Sequence, residues 1–285
     1  MRKCLSLAAA MSFVLFSGSL AGSTSALAYE SVQIPLDKSD KRFGKFFVGS
    51  LDGRLFRPAS RDPAPTIIFL HGCGGIGGLT LTAVEDRASH FATLGYASLV
   101  LDVDDNRHLG QKMCTDRTTA FAMLDARRGD IDAAVNWLVA GKISAREKIA
   151  TVGYSHGAEV VLEHDQKSDG ASTLAGAIAY YPACDRGEPA ARYPLLILVG
   201  DKDFSDGPHR SLGPICTDYG RAVARKGGAR PEVVVYPGAG HGFDVPGLQD
   251  QVSQGLNTTR AGYQPAAANA SFQKVDEFLA RVFHQ

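Results

Sequence analysis

Short unbroken apolar runs alternate along the chain with longer amphipathic segments. The apolar runs are rich in Val and Ile, which is typical of strands buried on both faces of a parallel sheet. They predict strands at residues 66–70, 97–103, 149–154, 175–181, 195–200 and 232–236. The amphipathic segments predict helices at residues 82–94, 118–140, 156–165, 214–226 and 270–283.

This alternation predicts an α/β fold, a doubly wound, mostly parallel sheet with helices on both faces. Residues 45–55 predict an additional early strand pair with a turn at 51–53. Residues 242–268 are rich in Gly, Gln, Asn and Pro and predict a long surface loop. No linker or repeat divides residues 29–285, so we expect a single domain without a large lid domain.

The N-terminal segment has a different character. Arg2 and Lys3 precede an apolar stretch at residues 5–16, and Ala26-Leu27-Ala28 has the small-x-small form of a signal peptidase site. We therefore predict that residues 1–28 are a cleaved signal peptide and that the protein is secreted or periplasmic. The alternative is an uncleaved anchor, but the apolar run is shorter than the ~20 residues that a bilayer core requires. No membrane association is expected after cleavage.

Charge restricts the choice of partner. The chain of 285 residues has 30 Lys and Arg against 30 Asp and Glu. Phosphate binding needs a clustered basic excess, and no such run occurs, so we expect no nucleic-acid partner.

Export would allow the cysteines to form disulfides. Cys4 would leave with the signal peptide, and four cysteines would remain in a compartment that permits disulfides. Cys73 and Cys114 follow two consecutive core strands, while Cys184 and Cys216 flank the strand at 195–200. We therefore predict the disulfides Cys73–Cys114 and Cys184–Cys216. No Cys-x-x-Cys spacing supports a zinc site.

The sequence GYSHG, from Gly153 to Gly157, lies between a predicted buried strand and a predicted helix. A nucleophile elbow requires this context, because the sharp turn lifts a serine hydroxyl above the sheet edge. Ser155 is the predicted nucleophile. The alternative is a turn of small residues that only packs helix against sheet.

A serine hydroxyl needs a base to take its proton and an acid to orient that base. His241 lies in a glycine-rich loop after the last strand, and of the eight histidines it best fits the chain order Ser, acid, His. We expect His71 to shape its own loop and the His156 side chain to point away from the serine. The acid should follow the strand at 195–200, where spacing leaves three carboxylates open: Asp201, Asp203 and Asp206.

The glycine-rich loop after the first core strand predicts an oxyanion site. It reads HGCGG, and its backbone N–H at Cys73 could pair with the backbone N–H of His156. The same loop supports an oxidoreductase as an alternative, because residues 72–77 read G-x-G-x-x-G and Asp102 ends the next strand. An exported protein would meet little nicotinamide cofactor, which argues against that alternative. A catalytically inactive binding module is a third interpretation.

Arg107 follows the strand at 97–103, at the sheet edge where open α/β folds bind ligands. Its guanidinium is a candidate for binding a substrate anion. The alternative is a local ion pair with Asp102, Asp104 or Asp105. These three carboxylates lack the spacing of an EF-hand, and we predict no metal site.

Several motifs together resemble the dienelactone hydrolase family of α/β-hydrolases. The resemblance runs from about Val32 to Phe283 through FLHGCGG, LDARRGDIDAAVNWL, IATVGYSHGAE, YYPAC, LILVGDKD, YPGAGHGFD and GYQPAAANASFQKVDEFL. It implies that Ser155 is the nucleophile, Asp203 the acid and His241 the base. The name-giving enzymes have Cys where this chain has Ser, so the resemblance does not point to dienelactone as the substrate.

Residues and resemblance together predict a secreted serine hydrolase that cleaves small-molecule carboxylic esters through an acyl-enzyme. This chemistry requires neither a metal nor an organic cofactor. A peptidase or amidase on the same fold is the alternative within hydrolases, although no gating domain is predicted. The sequence leaves the oligomeric state open.

Overall fold

The computed structural model describes residues 29–60, 63–167, 174–204, 210–228, 230–248, 251–254 and 258–284. The predicted signal peptide and Asp206 lie outside these residues. Within them, no helix has the length and apolar character needed to cross a membrane.

The central sheet is open and has eight strands in the order β1-β2-β4-β3-β5-β6-β7-β8. The strands are β1 Glu30–Pro35, β2 Ser50–Phe56, β3 Thr66–Leu70, β4 Ala97–Asp102, β5 Ile149–Tyr154, β6 Gly176–Tyr180, β7 Leu195–Gly200 and β8 Glu232–Tyr236. Strands β3 to β8 run parallel, and β2 pairs antiparallel with both β1 and β4. Every residue of β3 to β7 is buried, as the unbroken apolar runs predict.

Helices cover both faces of the sheet. They are α1 Gly78–Thr93, a short α2 Lys112–Thr115, α3 Arg117–Ala140, α4 His156–Lys167, α5 Leu212–Arg225 and α6 Pro265–Phe283. One apolar cluster joins α3, α4 and α5 to the sheet, and a second joins α1 and α6 to the opposite face. The predicted doubly wound α/β fold is therefore confirmed.

Two local predictions were wrong. Residues 45–55 do not form a strand pair, because β2 runs straight through the predicted turn and pairs with β1 instead. Strand β1 is mostly exposed, so no apolar run marked it in the sequence. The predicted loop at 242–268 contains a small hairpin, β9 Gln251–Gln254 with β10 Thr258–Ala261, and the first turn of α6. Pro265 opens that helix, where its missing N–H costs nothing.

Both disulfides have the predicted pairing. The bond Cys73–Cys114 joins the loop after β3 to α2, and Cys184–Cys216 joins the loop after β6 to α5. Each bond therefore ties down a loop that leaves the carboxyl end of a parallel strand.

Candidate active site

Ser155 lies at a sharp turn between β5 and α4. Its φ angle is 53°, in the left-handed region that residues other than glycine rarely adopt. A Cβ atom on Gly153 would lie 2.3 Å from the carbonyl oxygen of Gly157, and one on Gly157 would lie 2.4 Å from that of Leu70. The two glycines therefore let strand, turn and helix approach closely, and the geometry matches the predicted elbow.

The structure brings Ser155, His241 and Asp203 into one hydrogen-bonded chain. Nε2 of His241 lies 2.9 Å from the Ser155 hydroxyl, and Nδ1 lies 2.7 Å from Oδ2 of the fully buried Asp203. A carboxylate can only accept hydrogen bonds, so the Nδ1–H of His241 donates to Asp203. Nε2 then carries no proton and accepts a hydrogen bond from the serine hydroxyl. The arrangement is suited to moving a proton from Ser155 to His241.

The pKa of His241 is raised above its ordinary value. Burial acts to lower this pKa, but the charge of Asp203 and its hydrogen bond to Nδ1 outweigh burial. The protonated imidazole is therefore stabilised in this position.

The contacts of Asp201 and Asp203 distinguish between these two candidates for the acid. Oδ1 of Asp201 accepts the backbone N–H of Gly238 at 2.6 Å, which ties the loop after β7 to the loop after β8. Among the acid candidates that the structure describes, it is Asp203 that contacts His241.

The loop after β3 lies directly beside Ser155. A Cβ atom on Gly72 would lie 3.3 Å from the Cβ of Ser155. Within the described part of the chain, the backbone N–H groups of Cys73 and His156 donate to no other protein group. Both amides therefore remain open for an acceptor near Ser155, as an oxyanion site requires.

His241 also packs against a residue that the sequence did not indicate. The ring of Tyr181 lies 4.5 Å from that of His241, and its hydroxyl donates to the buried Asp244 at 2.9 Å. Asp244 in turn forms an ion pair with Arg87 of α1 at 2.6 Å. Tyr181 and Asp244 fall within the motifs YYPAC and GHGFD, but neither motif reveals that the two side chains meet.

A second charged pair lies one turn beyond Ser155. Glu159 of α4 forms an ion pair with Arg186, which follows β6 and packs over the ring of Phe121 at 4.7 Å. Burial raises the pKa of Glu159 to about 7, against the opposing effect of Arg186. The sequence did not indicate that Glu159 and Arg186 lie at the site.

The proposed anion-binding role of Arg107 needs correction. Its guanidinium is buried, with Nη1 and Nη2 each 2.8 Å from the carboxylate of Asp130, and its Nε donates to the carbonyl of Phe46. These contacts leave Arg107 turned into the protein, unavailable to a substrate. The partner is Asp130 of α3 instead of one of the neighbouring carboxylates, because a short sequence window cannot show which helix packs against the loop.

Asp102 does not support the dinucleotide interpretation. Its Oδ1 accepts the backbone N–H groups of Asp104 and Asp105, which places the carboxylate within a local turn. In the part of the chain that the structure describes, no cluster of three or more His, Cys, Asp or Glu side chains could hold a metal ion.

Comparison with known proteins adds a family match. The profile of the dienelactone hydrolase family matches residues 51–283. No relative was found among curated protein sequences.

Several solved structures share the fold. A protein from Klebsiella pneumoniae, assigned as a dienelactone hydrolase, aligns with a TM-score of 0.64 and 18% identity over 90% of this chain and 99% of its own. A propionate-bound esterase from Thermogutta terrifontis aligns at 0.58 and 18% identity over 90% and 95%. A dienelactone hydrolase-like promiscuous phosphotriesterase from metagenomic libraries aligns at 0.62 and 17% over 90% and 99%. At these identities the likeness concerns the fold.

Proposed function

This chain belongs to the dienelactone hydrolase family, and from that premise we propose that it is a secreted serine hydrolase of carboxylic esters. The observation that carries the proposal is the hydrogen-bonded chain from the Ser155 hydroxyl through His241 to the buried Asp203. Ser155 acts as nucleophile, His241 as general base and then general acid, and Asp203 orients His241.

Acylation begins when Nε2 of His241 takes the hydroxyl proton of Ser155. The serine Oγ attacks the ester carbonyl carbon, and the carbonyl electron pair moves onto oxygen. The backbone N–H groups of Cys73 and His156 donate to that oxyanion. When the tetrahedral intermediate collapses, the C–O bond to the alcohol breaks and His241 gives its proton to the leaving oxygen.

Deacylation repeats these steps with water. His241 takes a proton from water, the hydroxide attacks the acyl carbon, and the same two amides stabilise the second oxyanion. The bond to Ser155 then breaks, His241 returns the proton to Oγ, and the carboxylic acid leaves. Every proton is carried by His241, so the cycle needs neither a metal nor an organic cofactor.

Esters are favoured over amides by the nature of the relatives. Two of the structural neighbours are described as an esterase and a promiscuous phosphotriesterase. Secretion is favoured by the two disulfides and by the signal-like segment at residues 1–28. The mature N-terminus should be Tyr29, which mass spectrometry of the exported protein would measure.

The test combines covalent labelling with turnover. We expect a fluorophosphonate probe to label Ser155, as peptide mapping would show, and p-nitrophenyl esters to be hydrolysed faster than matched aminoacyl amides. Ser155→Ala should lose both labelling and turnover. Asp201→Asn is the matched control, because it removes a nearby carboxylate that does not contact His241.

Labelling at another residue, or ester turnover retained by Ser155→Ala, would overturn the proposed nucleophile. Faster cleavage of the amides would favour a peptidase or amidase with the same residues.

A further inference from the structure

A fully buried arginine of α3 contacts both sides of the oxyanion site. Nη1 of Arg127 lies 2.8 Å from Nδ1 of His156, and Nη2 donates to the backbone carbonyl of His71 at 2.7 Å. His71 begins the loop that carries Cys73, and His156 supplies the second amide. One guanidinium therefore links the two segments that carry the open N–H groups.

The contact with His156 fixes the state of that ring. A guanidinium has only donors, so Nδ1 of His156 must accept and its proton must lie on Nε2. Nε2 donates to the carbonyl of Ala120, also in α3, at 2.8 Å. Burial and the charge of Arg127 lower the pKa of His156 to about 3, so the ring is neutral. Helix α3 thus holds the first residue of α4 at two points.

The contact with His71 fixes the loop. The His71 carbonyl also packs against the first turn of α4, because a Cβ atom on Gly157 would lie 2.6 Å from it. The loop and the helix N-terminus are therefore in direct contact, and Arg127 bonds to a group on each.

A structural role alone does not explain a charged residue here. The two hydrogen bonds that Arg127 makes to described residues go to uncharged groups. Asp130, one turn along α3, forms its ion pair with Arg107 and attracts Arg127 only from a distance. Burial lowers the pKa of Arg127 to about 10, so it stays cationic at neutral pH. A buried cation without a direct carboxylate partner is costly to keep. An anion forming on the nearby amides would gain from it.

We propose that Arg127 is a positioning residue for the oxyanion site, acting through His71 and His156 without touching the substrate. The inference rests on the proposed serine hydrolase function. It predicts that loss of Arg127 weakens transition-state stabilisation far more than substrate binding.

The experiment measures Arg127→Met with a p-nitrophenyl ester, using active-site titration to correct for inactive protein. We expect kcat to fall about 10²-fold, as for loss or misplacement of an oxyanion donor, with KM changed less than about threefold. A trifluoromethyl ketone, which adds to serine to give a tetrahedral oxyanion, should lose affinity by a similar factor.

Arg107→Lys is the matched control. It changes a buried arginine that also contacts α3 but that bonds neither His71 nor His156. We expect its kcat and its ketone affinity to stay within about twofold of the unmodified protein, since the oxyanion donors are untouched. Arg127→Lys keeps the positive charge but lacks the planar guanidinium that donates to two acceptors at once. Its kcat should lie between those of Arg127→Met and the unmodified protein.

Unchanged kcat per titrated site, or unchanged ketone affinity, in Arg127→Met would overturn the inference. If Arg127→Met does not fold, Arg127→Gln gives the same comparison, because it keeps an amide donor without the charge. The two proposals fail differently. If the unmodified protein neither binds the ketone nor hydrolyses esters, the serine hydrolase function fails; if it does both and the Arg127 variants match it, only the positioning role fails.

Discussion

Two buried arginines lie on opposite faces of the sheet, each close to the Ser155 turn. Arg127 of α3 bonds a backbone carbonyl and a neutral histidine ring. Arg87 of α1 forms an ion pair with Asp244, donates to the Tyr154 hydroxyl at 2.6 Å and packs on the ring of Phe272 at 4.1 Å. Arg87 also borders a cavity of about 320 Å³ between α1 and α6.

The two guanidinium groups are perturbed in opposite directions. Burial dominates at Arg127 and lowers its pKa. At Arg87 burial acts the same way, but the phenol of Tyr154 and the carboxylate of Asp244 outweigh it, and the pKa is raised. The comparison teaches that Arg87 is balanced by a carboxylate in direct contact, whereas Asp130, Asp104 and Glu159 act on Arg127 only from a distance and do not outweigh burial.

Removing the proposed reacting groups should have the largest effect on kcat. The arginine variants should lose less activity than these. Ser155→Ala and His241→Ala should each lower kcat by about 10⁴- to 10⁶-fold, because the two residues act as one proton-transfer unit. Steady-state kinetics on a p-nitrophenyl ester would measure this. The double variant should be no worse than either single one, and additive losses would contradict the shared role.

Asp203→Asn should have the next largest effect. We expect kcat to fall by about 10³- to 10⁴-fold, because the amide favours the wrong tautomer of His241. This variant changes no contact of Arg127 or Arg87, so its loss of activity is independent of both arginines. Asp201→Asn is the control and should change kcat little. Greater sensitivity at Asp201 would mean that the acid has been misassigned.

Stability should separate the two arginines. Arg87→Met leaves the Asp244 carboxylate buried without its cation, which should cost about 3–5 kcal/mol in the free energy of unfolding. Arg127→Met leaves only uncharged acceptors without a donor, and we expect a smaller cost of about 1–3 kcal/mol. Urea unfolding would measure both.

The double variant Arg87→Met with Asp244→Asn should recover part of the loss, since no buried charge remains. A larger destabilisation from Arg127→Met than from Arg87→Met would reverse the comparison.

The smallest expected effect is on the pH profile. His241 must be neutral to accept the serine proton, so activity falls as pH drops through its pKa. Because that pKa is raised, the acidic limb of kcat/KM should lie above the ordinary histidine value of 6.5. The charges of Asp244 and Glu159 both contribute to this rise, after the larger effect of Asp203.

Glu159→Gln provides the control, because burial raises the pKa of Glu159 to about 7, into the same pH range. The limb should remain in this variant and move slightly to lower pH, since one nearby anion is lost. Disappearance of the limb would assign it to Glu159 instead of His241.

The sequence determined the features that depend on local pattern. Unbroken apolar runs fixed the core strands because both faces of a parallel sheet are buried. Glycine spacing around Ser155 fixed the elbow, because only glycine permits the close approaches seen there. The loop context of His241 and the loop positions of the four disulfide-bonded cysteines could also be recognised in the sequence. The exposed strand β1 was missed because it carries no such pattern.

Only the tertiary structure decided the partners of the charged groups. Spacing in the sequence left Asp201, Asp203 and Asp206 open, and among those that the structure describes it is Asp203 that contacts His241. For Arg107 the sequence offered a substrate anion or a neighbouring carboxylate, whereas its partner, Asp130, lies 23 residues away. Arg127 reaches a histidine 29 residues away, and Arg87 reaches Asp244 157 residues away. A long, flexible guanidinium bonds whatever acceptor the packed helices and loops bring within reach, and that set of acceptors exists only once the helices have docked on the sheet.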